Sequence, residues 1–177
     1  MKQNKIAMIY DFDGTLTPKT MQEYTLLPKL GLNPKSFWDS INEESKRTGG
    51  ETMMVFMRHL LDQAKEKNIK ISKNEFFKMG KDIKYYQGVG EWFDNINKYV
   101  KKLSGNDIQI YHYIISAGHM EILDGVSIKK YIKKIFASEY FYNQSKHAVF
   151  PKIVVTDTTK TQYLFRINKG KEKLSES

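Results

Sequence analysis

The sequence contains no cysteine among its 177 residues, so no disulfide, thiolate metal ligand or thiol nucleophile can form. It also lacks a run of about 18 apolar residues, the length that a membrane-spanning helix requires. The apolar run near the start is too short for a secretory signal peptide. These absences predict a cytoplasmic protein without a membrane partner, whose chemistry depends on side chains other than thiols.

Arginine is scarce as well, because only Arg47, Arg58 and Arg166 contribute to the 29 basic residues. The net charge of +9 would attract polyanions, but specific recognition of phosphates and bases favours the planar guanidinium group. Dispersed lysines are more typical of a solvated surface, so nucleic acid is not the expected partner. A non-catalytic, Lys-rich binding module for nucleic acid or another anionic partner stays open as the alternative function.

The first clear element is the continuous apolar run IAMIY at residues 6–10. Apolar residues without alternation are typical of a strand that is buried on both faces, as in a parallel sheet. Residues 20–86 then show helical periodicity, with a Met-rich face that includes Met53 and Met57. Core packing is the favoured interpretation of that face, and a ligand-binding surface is the alternative.

After the glycines at residues 88–90, apolar strands and amphipathic helices alternate. The predicted strands are residues 108–115, 135–140 and 149–156, the last in a hairpin, and the predicted helices are residues 92–103, 119–131 and 159–168. The lysines in residues 129–134 alternate with apolar residues and are interpreted as the solvated side of an amphipathic helix. Strand–helix alternation predicts an α/β fold with a parallel sheet and right-handed crossovers.

Ligands of such sheets bind beyond the carboxyl ends of the strands, so the residues that follow each strand are the candidates for chemistry. Asp11 and Asp13 follow the first strand and, two residues apart, point to the same side. Their repulsion would be relieved by a cation or by different protonation states. Gly14 and Thr15 would let the chain turn with backbone amides open to a phosphate.

This turn resembles the first motif of the haloacid dehalogenase (HAD) superfamily in its phosphatase form, which reads DFDGTLT here at residues 11–17. A calcium loop would need a third alternating carboxylate before the glycine, and the sequence lacks it. A purely structural Asp pair that caps a turn is the other alternative.

Two further positions extend the resemblance. Ser116, at the end of the second apolar strand, resembles the second motif, although a Ser before Ala-Gly also suits a helix cap. The third motif is a lysine near the start of a later helix. Lys160 is preferred over Lys152 and Lys169 because it stands where a loop becomes a helix.

The resemblance implies a Rossmann-like HAD core at residues 1–17 and 88–177, with an inserted α-helical cap at residues 18–87. It also implies a phosphomonoester hydrolase that acts on a small phosphorylated metabolite. Asp11 would form an aspartyl-phosphate, Asp13 would act as acid and then base, and Ser116 and Lys160 would stabilise the transferring group. Mg²⁺ would be held by Asp11 and by the backbone carbonyl of Asp13.

A fourth family motif, one or two acids after a further strand, is expected about 20 residues beyond Lys160, from typical element lengths. That position lies past Ser177, and neither Glu172 nor Glu176 follows an apolar strand. We therefore expect a chain cut short at its C-terminus, with an incomplete core and impaired activity. An unpaired first strand would also favour dimerisation through an exposed sheet edge.

The substrate-binding residues are predicted by analogy with phosphoserine phosphatases. Those enzymes use a Glu soon after the first motif and an Arg in the cap, and Glu23 and Arg58 fall in comparable regions. A surface salt bridge is the alternative role for Arg58. Gly118 is expected near the phosphate, and His119 would contact substrate or cap the next helix.

Overall fold

The computed structural model describes residues 4–173 as a four-stranded sheet with helices on both faces. The strands are β1 (Lys5–Tyr10), β2 (Gln109–His119), β3 (Ile132–Tyr142) and β4 (Ala148–Ile153). They lie side by side in chain order, so β1 and β4 are the outer strands of the described sheet. β1, β2 and β3 are parallel, whereas β4 pairs with β3 in antiparallel fashion.

Eight α-helices are described in residues 4–173: α1 (Met21–Tyr24), α2 (Leu26–Leu30), α3 (Pro34–Thr48), α4 (Thr52–Glu66), α5 (Lys73–Met79), α6 (Val89–Ser104), α7 (Met120–Asp124) and α8 (Lys160–Asn168). Short 3₁₀ turns cover Gly80–Asp82 and Ser127–Tyr131. None of the helices in this range is long and apolar enough to cross a membrane.

The predicted α/β fold with a parallel sheet is confirmed. Ile6 lies opposite Ile110 and Tyr10 opposite Ile114, which brings the ends of β1 and β2 to the same edge. The predicted hairpin is confirmed too, since Tyr140 of β3 faces Pro151 of β4.

Two helices in the segment between β1 and α6 begin at capping residues. The Asn33 side chain accepts a hydrogen bond from the Ser36 amide at the start of α3, and Pro34 occupies the first helical position. Ser72 and Glu75 form a reciprocal capping box at the start of α5. These helices cover the end of the sheet where β1 stops.

The predicted helix at residues 119–131 is confirmed only in part, as two short helical pieces instead of one continuous helix. β2 continues to His119, and only the five residues of α7 and a 3₁₀ turn follow. The solvated helical side expected for residues 129–134 is wrong for the same reason, because Lys133 and Lys134 lie in β3. Lys133 bonds Glu172 at 2.7 Å, a partner distant in sequence that local periodicity cannot reveal.

Apolar side chains cover both faces of the sheet. The larger core packs α1–α7 against one face, and its fully buried members include Phe56, Phe76 and Tyr140. A smaller cluster joins Phe136 of β3 to Tyr163 of α8 on the other face. β2 and β3 are largely buried, which fits their apolar sequences. The prediction of a strand buried on both faces is wrong for β1, because its six residues are all exposed or only half-buried and it is an outer strand of the described sheet.

Candidate active site

A cavity of about 210 Å³ lies at the carboxyl ends of β1 and β2. Asp11 and Asp13 enter it from the turn after β1, and Ser116 and Gly118 enter it from the last residues of β2. The predicted convergence of the two strand ends is therefore present. Because β2 extends to His119, Ser116 and Gly118 belong to the strand rather than to the loop expected after residue 115.

The turn after β1 is closed by one carbonyl group. The Phe12 oxygen accepts the backbone N–H groups of Thr15, Leu16 and Thr17 at 3.3, 2.9 and 3.2 Å, and Gly14 has a φ of +75°. A positive φ suits glycine because it has no Cβ. The expectation that the Thr15 amide is open to a phosphate is wrong, since that amide is used inside the turn. Neither Gly14 nor Thr15 lines the cavity.

Asp11 is half-exposed and is held from both oxygens. Its Oδ1 accepts the Phe12 amide at 2.7 Å, and its Oδ2 lies 3.2 Å from Lys160 Nζ. The backbone bond fixes the carboxylate in one orientation, while the lysine provides a positive charge. A carboxylate so placed is available as a nucleophile or a cation ligand.

Asp13 is in a different environment. Burial raises its pKa to about 7, and the nearby charges of Asp11 and Glu23 act in the same direction. The Met21 amide, which donates to Asp13 Oδ1 at 2.8 Å, and Lys160 oppose the rise. A pKa near neutrality lets a carboxyl group give and take a proton at physiological pH.

Ser116 and Gly118 form a compact wall. The Gly118 N–H donates to Ser116 Oγ at 3.0 Å, so the serine hydroxyl keeps its own proton for another acceptor. A Cβ on Gly118 would lie 2.1 Å from Met21 Cε and 3.3 Å from Asp13 Oδ2. Glycine at this position therefore lets α1 and Asp13 approach β2.

Lys160 is the lysine that the fold brings to Asp11. It is the first residue of α8, and its Nζ also lies 3.1 Å from Asp157 Oδ1. Burial alone would lower the pKa of Lys160, but its bonds to Asp157 and Asp11 outweigh this and raise it. Lys152 instead pairs with Glu139, and Lys169 follows the end of α8.

The helical segment supplies a second wall that the sequence interpretation missed. Its members are Thr20, Gln22, Trp38 and Met53. Met53 belongs to the Met-rich face and lines the cavity, whereas Met57 of the same face is fully buried in the core, as the favoured interpretation predicts. The sequence carries no local signal for Gln22 or Trp38, because their placement depends on how α1 and α3 pack over the sheet.

Glu23 and Arg58 do not line this cavity. Glu23 accepts a hydrogen bond from the Thr20 hydroxyl at 3.2 Å. Arg58 pairs with Glu44 and Asp62 on the outer side of α3 and α4. The surface salt bridge, left open as the alternative role for Arg58, is what the structure contains.

His119 neither reaches the cavity nor caps α7 with its side chain. Its ring is fully buried among Phe56, Phe76 and Tyr140, at centroid distances of 5.2–5.4 Å. Both ring nitrogens lack hydrogen-bond partners among residues 4–173, and burial lowers the pKa of His119 to about 3. The histidine is a neutral core residue, so the predicted substrate contact is wrong. The predicted cap is confirmed in position only, because His119 is the N-cap residue of α7 without a side-chain hydrogen bond to the helix.

Cation ligands are few at this site. Asp11 and Asp13 offer oxygen atoms that suit Mg²⁺, which commonly uses one or two carboxylates together with waters and substrate phosphate. Within residues 4–173 no group of three or more acidic or histidine side chains could hold a metal. Glu172 bonds Tyr113 and Lys133 instead, and Glu176 lies outside the described residues.

Comparison with known proteins gives one sequence relative. An uncharacterized protein of Borreliella burgdorferi is 30% identical over 197 aligned residues, which cover 99% of this chain and 69% of that protein. No family model matches the chain.

Solved structures share the fold at low identity. A HAD-family hydrolase from Salmonella enterica serovar Typhi superposes with a TM-score of 0.65 at 14% identity, covering 94% of this chain and 52% of that one. A substrate-bound phosphoserine phosphatase superposes with a TM-score of 0.64 at 15% identity, covering 99% and 76%. The chain thus spans about half of the first protein and three quarters of the second.

Proposed function

This chain belongs to the same family as the uncharacterized Borreliella burgdorferi protein and has the fold of HAD hydrolases, and from that premise we propose that it is a phosphomonoester hydrolase. The substrate is a small phosphorylated compound, and the intermediate is an aspartyl-phosphate on Asp11. One observation carries the proposal: Asp11 lies 3.2 Å from Lys160 in a cavity shared with Asp13, whose pKa is about 7.

In the first half-reaction an Asp11 carboxylate oxygen attacks the phosphorus atom, and the bond from phosphorus to the leaving oxygen breaks. Asp13, protonated at the start, gives its proton to that oxygen, so an alcohol leaves. The hydrogen bond from the Met21 amide holds the Asp13 carboxyl in position for this transfer.

In the second half-reaction water attacks the phosphorus of the aspartyl-phosphate. Asp13, now ionised, takes a proton from the water, and the bond from phosphorus to Asp11 breaks to release inorganic phosphate. The proton that Asp13 gave away is thereby restored, which makes the cycle complete.

Lys160 and Ser116 stabilise charge on the transferring phosphoryl oxygens. Lys160 Nζ lies beside Asp11, where those oxygens would pass, and the Ser116 hydroxyl retains a proton to donate. Gly118 keeps this wall free of a side chain. We also propose that residues 18–87 act as a cap, since Trp38 and Met53 from that segment face the strand ends.

Mg²⁺ fits the donors that are present, with the Asp11 carboxylate and the Asp13 backbone carbonyl as its protein ligands. When bound, the cation would screen the charge between the carboxylate and the phosphate. Because residues 4–173 gather no cluster of three ligating side chains, we expect weak metal affinity and slow turnover.

The test combines turnover with detection of the intermediate. With Mg²⁺ and p-nitrophenyl phosphate, the wild type is expected to turn over slowly and to show an intact-mass adduct of one phosphoryl group. Both signals are expected to disappear in Asp11→Asn. Asp39→Asn is the matched control, because Asp39 is exposed on α3 and pairs only with Lys35 in the described residues.

Turnover or an adduct that persists in Asp11→Asn would contradict Asp11 as the nucleophile. Fast turnover in the wild type, lost in Asp11→Asn, would support the hydrolase and refute the expected impairment.

A further inference from the structure

The two walls of the cavity differ in chemistry. The side formed by the strand ends and the start of α8 carries all the charged groups, namely Asp11, Asp13, Lys160 and Asp157, which is paired with Lys160. The helical side contributes four side chains, all of them uncharged. The lining from residues 20–53 is therefore suited to a neutral group.

Gln22 is the polar group of this neutral wall. It is only 2% exposed, and no hydrogen bond of its side-chain amide is described within residues 4–173. Gln22 is one of the residues that line the cavity. An unpaired buried amide is costly, and a ligand that hydrogen-bonds to it removes that cost.

Trp38 and Met53 supply the apolar part of the wall. The Trp38 ring stacks on Phe56 at 5.1 Å between centroids, with an interplanar angle of 29°, and Phe56 is fully buried. A ring supported in this way is fixed before a ligand arrives, which limits the entropy lost on binding.

The ionic partners that an amino-acid ligand would need are not at this wall. In the described part of the chain, Arg58 is held by Glu44 and Asp62 outside the cavity, and Glu23 is bonded by Thr20 without lining it. The cavity volume of about 210 Å³ is below the range of roughly 300–1,000 Å³ of pockets for drug-sized ligands. A small leaving group is implied.

We propose that the leaving group of the substrate is a small uncharged alcohol or phenol, not an amino acid. It places apolar surface on Trp38 and Met53 and a hydrogen-bonding group against Gln22. This inference rests on the proposed phosphomonoester hydrolase and names the substrate class of the same cavity. Charged substituents are disfavoured at the helical wall, because they would lose water there without gaining an ionic partner.

The first experiment uses the wild type and Mg²⁺, with calorimetric binding of four probes: inorganic phosphate, phenyl phosphate, glycerol 3-phosphate and O-phosphoserine. Phenyl phosphate and glycerol 3-phosphate, whose leaving groups are uncharged, are expected to bind at least about tenfold more tightly than O-phosphoserine. If inorganic phosphate binds but O-phosphoserine binds as tightly as phenyl phosphate and glycerol 3-phosphate, the inference is overturned while the proposed function stands. If none of the four binds, the proposed function itself fails.

Variants then separate the two parts of the wall. Trp38→Leu is expected to weaken the binding of phenyl phosphate about tenfold and to leave the affinity for inorganic phosphate unchanged. Gln22→Met keeps the side-chain volume and is expected to weaken the binding of glycerol 3-phosphate about threefold to tenfold. Gln63→Met is the control, since the Gln63 amide bonds Glu66 away from this cavity.

If Trp38→Leu or Gln22→Met weakens the binding of all four probes equally, the substituted residue has no role in recognising the leaving group. The comparison of the four probes on the wild type needs no variant, so it decides the inference even if a variant does not fold.

Discussion

The two outer strands of the described sheet are supported very differently. β4 pairs with β3 on one side, and on the other its Ala148 N–H donates to the Ile71 oxygen at 2.9 Å. β1 pairs only with β2, and no strand lies against its other edge within residues 4–173. The strand that leads to both carboxylates is thus the less supported one.

This difference shows that the sheet does not by itself hold the candidate site in place. Local bonds do so instead: three amides close the turn on the Phe12 oxygen, and the Met21 amide holds Asp13. Behind the turn, Tyr10 OH accepts from Trp92 Nε1 at 2.9 Å and bonds His112 Nδ1 at 2.9 Å. These contacts fix the end of β1 to α6 and β2.

The largest expected effect comes from matched truncations on the outer strand β1 and on the inner strand β3, which lies between β2 and β4. Ile135→Ala on β3, where the side chain is 4% exposed, is expected to lower the free energy of unfolding by about 2–5 kcal/mol. Ile6→Ala on β1, where the side chain is 42% exposed, is expected to cost less than about 1 kcal/mol. Urea denaturation measures both. If both substitutions lower the free energy of unfolding equally, β1 is buried as deeply in solution as β3.

The next largest effect is the stability that is lost when the buried Asp13 carboxyl, after the end of β1, gives up its proton. The pKa of Asp13 rises from 3.8 to about 7 on folding, so the folded chain binds more protons than the unfolded chain between these values. Stability is therefore lost as the pH rises from about 4 to about 7. The loss reaches at most about 4 kcal/mol.

Asp13→Asn removes this titration but keeps an oxygen to accept the Met21 amide. At pH 8 the variant is expected to be more stable than the wild type by about 2–4 kcal/mol. At pH 4 the two are expected to differ little. Urea unfolding at both pH values measures the change, and a difference that does not depend on pH would contradict the raised pKa of Asp13.

The parts of this architecture that the sequence predicts are those set by neighbouring residues. The apolar run of residues 6–10 predicts a strand, although not its exposure, and the DFDGT turn after it places Asp11 and Asp13 at a strand end. Lys160 is predictable because a loop meets a helix there. Each of these signals lies within a few residues of the feature it indicates.

The remaining features depend on contacts between distant residues. Lys133 reads as a helix-surface residue, but it lies in β3 with its ammonium group 4.5 Å from the Tyr111 ring centroid. Gln22 and Trp38 reach the cavity only because helices pack over the end of the sheet. Such placement is a property of the packed core and leaves no periodic trace in the sequence.

The smallest expected effect on stability tests the open edge of β1 directly. An exposed apolar edge strand is a template for pairing with another chain, and a lysine on the edge opposes such pairing. We expect the wild type to self-associate with increasing concentration in sedimentation velocity, and Ile6→Lys to remain monomeric over the same range. Because Ile6 is already 42% exposed, the substitution should change the free energy of unfolding by less than about 1 kcal/mol.

Leu103→Lys is the matched control, since Leu103 is 69% exposed near the end of α6 and belongs to no strand. It removes a comparable apolar side chain and adds the same charge, so it separates pairing through β1 from general charge repulsion. If Leu103→Lys suppresses association as strongly as Ile6→Lys, the edge of β1 is not the contact. If only Ile6→Lys does, the contrast between the two outer strands extends from stability to assembly.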